Sequence, residues 1–164
     1  MENTLKYDDA VLVIKAAILQ SQYDAARSVN EKQLMLYYGI GRLINEHKSW
    51  GNKFIENLAA DIKLAFPETK GYSVRNLKYM SKFAATYEDE KFVQQAVAQI
   101  PWGHTVVLLD KISDGTIRNW YVEKIIENGW SRNVLVHQIE SGLYQRQVIA
   151  NKVSNFENRL SFPQ

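Results

Sequence analysis

Apolar residues recur every three or four positions along nearly the whole chain, and this helical period constrains the fold more than any other feature. The alternation of apolar and polar residues that is typical of strands is scarce. Only three prolines interrupt the 164 residues, so helices can run through most of the chain. Hydrophobic residues make up 46%, which is enough to bury a core. The sequence therefore predicts an all-α fold.

The period and its interruptions predict eight helices. Their approximate bounds are 7–27, 31–47, 52–66, 73–87, 89–98, 106–111, 115–128 and 131–147. Val11, Ile14 and Ile18 form the apolar stripe of the first helix. Asn30 is a suitable N-cap for the second helix, because its side chain can accept from an amide of the first turn.

Two glycines, Gly39 and Gly41, lie inside the second predicted helix. Each glycine costs a helix interior roughly 1 kcal/mol relative to alanine. We expect the close approach of a neighbouring helix to compensate for this cost.

Charge and cysteine content limit the possible functions. Twenty basic and 18 acidic side chains leave a net charge of +2, so any affinity for nucleic acid must come from local clustering. The absence of cysteine excludes disulfides and cysteine-based zinc sites and favours a reducing cytoplasm. No signal peptide is recognisable, and the longest apolar run, residues 10–19, is far too short to span a membrane.

A capped basic helix is the strongest functional signal. Gly71 suits a turn, and Ser73 is a good N-cap for the helix that follows. No acidic residue occurs from position 73 to 87, and one side of the helix is basic. The predicted DNA contacts are Arg75, Asn76, Lys78, Tyr79 and Lys82. Such a helix after a turn is typical of DNA recognition, although an ordinary solvated helix face can have the same composition.

A weaker copy of this pattern occurs later, where Gly129-Trp130-Ser131 is followed by Arg132 and Asn133. Arg132, Asn133 and His137 are the predicted contacts of this second unit. Two helix–turn–helix-like units in tandem would explain the repeat. Chance recurrence of good capping residues is the alternative.

Catalytic and metal-binding patterns are missing. His47, His104 and His137 are scattered without the spacing of metal ligands on a helix, and no Gly-x-Ser-x-Gly motif occurs. We predict no metal, no cofactor and no small-molecule substrate.

Several runs together resemble the N-terminal domain of the YhcG-type nuclease family. They are Tyr38 to Ile44, Gly71 to Leu77, Ile100 to His104, Trp120-Tyr121 and Gly129 to Arg132. The resemblance covers about residues 31–147. It implies a bacterial two-part protein whose helical N-terminal part binds DNA and whose C-terminal part is a PD-(D/E)XK nuclease.

No counterpart of the nuclease part occurs in this sequence. We therefore expect residues 1–148 to form a DNA-binding domain that targets a nuclease. Residues 149–164 would be a linker or frayed tail, and the chain itself would not be catalytic. The alternative is a protein-interaction module, most simply a homodimerisation domain built on the long N-terminal helices.

Overall fold

A computed structural model describes residues 2–47, 49 and 53–160, with side chains from residue 7 onward. These ranges contain eight α-helices and no strand, which confirms the all-α prediction. The helices are α1 (Glu2–Glu46), α2 (Lys53–Ala65), α3 (Val74–Thr86), α4 (Glu90–Gln95), α5 (Trp102–Lys111), α6 (Gly115–Asn128), α7 (Arg132–Glu140) and α8 (Leu143–Leu160). A short 3₁₀ helix, Val97–Gln99, joins α4 to α5. Positions 52 and 161–164, part of a predicted helix and of the predicted tail, lie outside the described residues.

Helix α1 is continuous over 45 residues, so the predicted break near Asn30 is wrong. The side-chain amide of Asn30 instead donates to the carbonyl oxygens of Ala98 and Ile100, at 2.9 and 3.0 Å. These acceptors are about 70 residues away in sequence. An N-cap needs non-helical backbone, whereas tertiary partners for the side chain let the backbone at Asn30 stay helical.

The first half of α1 extends away from the core. Every residue from 7 to 29 is exposed except Val11, which is half-buried. Ile14 and Ile18, on the predicted apolar stripe, therefore do not pack against the core, since 58% and 52% of their surface is exposed. We call residues 7–29 the N-terminal arm.

The second half of α1 packs against α3. Leu34, Tyr38 and Phe83 are buried in one cluster between the two helices and the 3₁₀ segment. The hydroxyl of Tyr38 donates to the carbonyl oxygen of Tyr87 at 2.6 Å, which fixes the end of α3. The predicted close approach is confirmed for Gly41, where an added Cβ would overlap the backbone of α3. It is wrong for Gly39, which is exposed and has open space around it.

A second core cluster joins α5, α6 and α7 around Leu108, Tyr121 and Leu135. The predicted helix ends hold here. The side chains of Asp114 and Ser131 accept hydrogen bonds from backbone amides as N-caps. Gly129 ends α6 in the left-handed conformation, with a φ of 62°.

The end of the chain differs from the prediction. Helix α7 ends near Gly142, whose φ is 72°, rather than near residue 147. Helix α8 then runs through position 148 to Leu160, so the tail is helical and not frayed over these residues. The division between domain and linker stays a prediction.

Candidate nucleic-acid interface

The turn before α3 is built as the sequence predicts. Gly71 has a φ of 104°, a backbone conformation that residues with a side chain rarely adopt. The Tyr37 hydroxyl also lies 2.7 Å from the position that a Cβ atom would take at Gly71. The Ser73 hydroxyl oxygen accepts from the backbone amide of Asn76 at 3.1 Å. The turn therefore leads directly into a capped α3 that rests on α1.

Helix α3 separates apolar from basic residues. Leu77, Met80 and Phe83 are fully buried on one side. The other side, which we call the basic face, consists of Arg75, Lys78, Tyr79 and Lys82. These four residues and Val74 line an open groove of about 530 Å³. Four of the five predicted contacts of α3 therefore lie together on one surface.

Tyr79 occupies the middle of the basic face and has a structural contact as well. Its hydroxyl donates to the carboxylate of Asp110 on α5, with distances of 3.0 and 2.8 Å to the two oxygens. Its ring lies 5.7 Å from the guanidinium carbon of Arg75, within range of a cation–π interaction. Tyr79 thus joins α3 to α5 and positions Arg75, while its hydroxyl proton points to Asp110 and not to solvent.

Asn76 differs from the other predicted contacts because both ends of its amide have partners inside the chain. Its nitrogen donates to the carbonyl oxygen of Gly71, and its oxygen accepts from the indole nitrogen of Trp102 at 2.8 Å. A two-point hydrogen bond to adenine would need both of these groups. We therefore assign Asn76 to the turn and leave it out of the interface.

Arg132 is the residue of the second unit that lines a cleft together with residues of α3. Arg75 and Arg132 line one cleft of about 320 Å³, together with Trp102 and Gly103 at the start of α5. The Cδ of Arg132 lies 3.8 Å from the Cβ position of Gly103. The two basic turns, 57 positions apart in sequence, are thus brought to one place.

Asn133 and His137 are exposed on α7 but are not among the residues that line this cleft. At 100° per residue they lie about 100° and 140° around the helix from Arg132. The structure therefore joins only Arg132 of the second unit to the basic face.

The segment Trp102-Gly103-His104 supports both turns, and none of its residues is among the predicted contacts. Trp102 bonds Asn76 in the first turn, and the Nε2 atom of His104 lies 2.7 Å from the carbonyl oxygen of Trp130 in the second turn. This segment therefore holds both turns. The signal was present in the sequence, because the same run contributed to the family resemblance.

Within residues 2–47, 49 and 53–160, no three His, Asp or Glu side chains form a group that could hold a metal ion. No helix in these ranges combines the length and the apolar character of a membrane-spanning segment.

Comparison with protein-family models matches residues 13–146 to the model described as DUF1016 N-terminal domain. The matched range begins in the N-terminal arm and ends at the start of α8, so it contains both basic turns. Comparisons with curated proteins and with solved structures give no significant match.

Proposed function

We propose that this chain, which belongs to the DUF1016 N-terminal domain family, binds duplex DNA through the basic face of α3 together with Arg132. The observation that carries the proposal is the cleft shared by Arg75 and Arg132. Two cations from separate turns converge there, and Lys78 and Lys82 continue the positive surface along α3.

The dimensions of α3 support this proposal. Its 13 residues span about 20 Å, and an α-helix fits the major groove of B-DNA. Arginine can donate two hydrogen bonds to guanine, and lysine suits phosphate oxygens. Arg75 and Arg132 are therefore candidates for base or phosphate contacts, and Lys78 and Lys82 for phosphate contacts.

The test is binding of the purified chain to duplex DNA at several salt concentrations. The double variant Arg75→Ala with Lys82→Ala should bind about tenfold or more weakly at low salt. Each lost contact with a phosphate should also reduce the slope of log affinity against log salt by about 0.9.

The matched control is Lys152→Ala with Arg159→Ala. Both residues are exposed on α8, and the double variant loses the same charge. Its affinity should stay close to that of wild type. Unchanged binding by the Arg75/Lys82 variant would show that the basic face does not contact DNA. Equal losses of affinity in both variants would indicate an effect of net charge alone.

We propose a targeting role, in which the chain brings an attached nuclease to DNA in the cytoplasm of a bacterium. The resemblance to YhcG-type proteins supports this role, and the proposed contribution of the chain is binding and not catalysis. Incubation with plasmid DNA and Mg²⁺ or Mn²⁺ should leave the DNA intact. Metal-dependent cleavage that copurifies with the chain would contradict the proposal.

The N-terminal arm supports a second candidate function, homodimerisation. Eight large hydrophobic side chains on the arm are between 52% and 69% exposed. They are Tyr7, Leu12, Val13, Ile14, Ile18, Leu19, Tyr23 and Val29. An isolated helix is only marginally stable in water, so an arm that exposes this many apolar side chains favours a partner.

The pattern on the arm favours another helix of the same kind as the partner. Tyr7, Val11, Ile14, Ile18 and Ala25 follow the spacing of a coiled-coil seam, apart from Ser21 at one position. The arm is about 35 Å long, because each residue of a helix adds 1.5 Å. Pairing two arms would bury the side chains of this seam in both copies without using the basic face.

Sedimentation and light scattering test this second function. Wild type should be a dimer at micromolar concentration, and Ile14→Glu with Ile18→Glu should be a monomer, because paired arms would bury the new charges. The control is Leu64→Glu, which changes a residue of α2 that is 82% exposed. A wild-type chain that stays monomeric at every concentration would exclude homodimerisation.

A further inference from the structure

Arg118, in the first turn of α6, is a buried cation without a partner of opposite charge. It is only 7% exposed, and its Nε atom has no hydrogen-bond partner. Among the described residues, the ion pairs are Arg42–Glu90, Lys111–Glu140 and Lys124–Glu127, so Arg118 belongs to none of them. A buried charge normally requires an opposite charge and hydrogen bonds.

The aromatic neighbour of Arg118 does not supply that charge. The guanidinium carbon lies 5.3 Å from the centre of the Tyr87 ring, which gives a cation–π contact. Burial raises the pKa of Tyr87 to about 12, so its hydroxyl is neutral at physiological pH. Tyr87 therefore does not neutralise the positive charge of Arg118.

Arg118 lines a cleft of about 560 Å³ where α3, α5 and α6 meet. Lys82 from the basic face and Lys111 from the end of α5 line the same cleft, and Thr86 and Ser113 add hydroxyl groups. We call this site the anion cleft. Three cations and two hydroxyl donors from separate elements thus surround one space.

Two acidic side chains lie close to the anion cleft. Asp110 lines it, and its carboxylate accepts the Tyr79 hydroxyl on the side of α3. Glu140 pairs with Lys111 at 3.0 Å, an exposed contact that leaves the other donors of that lysine free for a second acceptor. Positive charge still dominates the lining of the cleft.

We propose that the anion cleft binds a phosphate group of the DNA backbone and anchors the duplex beyond the basic face. This inference rests on the proposed function, because Lys82 lines both surfaces. A phosphate offers several acceptor oxygens to guanidinium, ammonium and hydroxyl donors at once. The cleft is much larger than one phosphate, so it leaves room for the attached sugars.

The first measurement is made on the wild-type chain. The Nε–H resonance of Arg118 is followed by ¹⁵N NMR while inorganic phosphate, and separately a short duplex, is added at constant ionic strength. Both additions should shift this resonance to saturation, whereas chloride should not. The substitution Arg118→Lys identifies the resonance.

The second measurement is the salt dependence of duplex binding by Arg118→Gln, with Lys152→Gln as the charge-matched control. Losing one phosphate contact should reduce the slope of log affinity against log salt by about 0.9, and the control should keep the wild-type slope. If Arg118→Gln does not fold, the NMR titrations of wild type decide the question.

The outcomes separate the two proposals. A phosphate-induced shift in a chain that does not bind DNA would support phosphate binding at the cleft and exclude the DNA-binding function. DNA binding without any shift of the Arg118 resonance would overturn the anion cleft and leave the basic face in place. A shift with phosphate but none with the duplex would overturn its assignment to the DNA backbone.

Discussion

Gly41 of α1 lies directly against the carbonyl group of Met80 in α3. An added Cβ at Gly41 would overlap the Met80 carbonyl oxygen and would lie 2.9 Å from the Cβ of Ala84. The two helices therefore approach each other closely where α1 supports the helix that carries the basic face. A backbone neighbour cannot move aside as the end of a flexible side chain can.

The substitution Gly41→Ala should lower the free energy of unfolding by about 2 kcal/mol, because the cost of overpacking exceeds the gain in helix propensity. Gly39→Ala should raise it by up to about 1 kcal/mol, since Gly39 is exposed in the same helix. Urea unfolding of both variants at equal protein concentration tests this. Equal effects of the two substitutions would contradict the close packing at Gly41.

The continuity of α1 at Asn30 gives a second prediction. Asn30→Ala removes two hydrogen bonds and leaves the carbonyl groups of Ala98 and Ile100 without this donor, so it should cost about 1–2 kcal/mol. Ser28→Ala is the control, because Ser28 is exposed and should change stability by less than about 0.5 kcal/mol. A stabilised Asn30 variant in chemical unfolding would argue against these hydrogen bonds.

Asn76 and Trp102 should act as a pair in stability. Trp102→Phe removes the indole donor, and each single substitution should cost about 1–3 kcal/mol. A double-mutant cycle should give a coupling energy of about 1 kcal/mol. At a temperature where Asn76→Ala is folded, its DNA affinity should stay within about twofold of wild type. A much larger loss of affinity would indicate that Asn76 contacts DNA.

Arg75 and Arg132 should be coupled in DNA binding because they line one cleft. In a double-mutant cycle of Arg75→Ala and Arg132→Ala, the loss of binding free energy should be non-additive by at least about 0.5 kcal/mol. Arg75→Ala combined with Lys152→Ala serves as the distant control and should be additive. Additivity in both cycles would mean that the two turns act separately.

The raised pKa of Tyr87 should make the folded chain less stable at high pH. Its pKa is raised to about 12 by burial, whereas an unfolded tyrosine titrates near 10. Below pH 10 both states are protonated. Between pH 10 and 12 the unfolded chain loses the proton more readily, so the free energy of unfolding falls by up to about 3 kcal/mol.

Tyr87→Phe should lack this part of the pH dependence. Its stability near pH 7 should be close to that of wild type, because the hydroxyl of Tyr87 has no hydrogen-bond partner. Unfolding measured from pH 8 to 11.5 should show the two proteins diverging above pH 10. Parallel curves would contradict the raised pKa of Tyr87.

Local capping determined much of what could be predicted. Ser73, Asp114, Gly129 and Ser131 end or begin helices at the predicted positions, because each acts through backbone groups within a few residues of itself. The basic face of α3 was predictable for the same reason, since helical spacing alone places Arg75, Lys78 and Lys82 on one side.

Interactions between distant segments account for the features that local sequence patterns do not predict. Asn30 is a residue type that often caps helices, but its side-chain amide donates to the carbonyl oxygens of Ala98 in the 3₁₀ helix and of Ile100 after it. Asn76 is a residue type that can bind adenine, but its side-chain oxygen accepts a hydrogen bond from the indole nitrogen of Trp102. The burial of Arg118 is not predictable from neighbouring residues, because it depends on the packing of Tyr87 and α6.

The sequence by itself determined the all-α class, the two capped turns and the acid-free side of α3, since these depend on period and on contacts within one turn of helix. Tertiary structure alone decided which residues from different helices share a surface. It brought Arg132 to Arg75, turned Asn76 inward and left Arg118 buried without an acidic partner. The physical reason is that a side chain's partners across the core are set by how whole helices pack, and neighbouring residues in the sequence do not encode that packing locally.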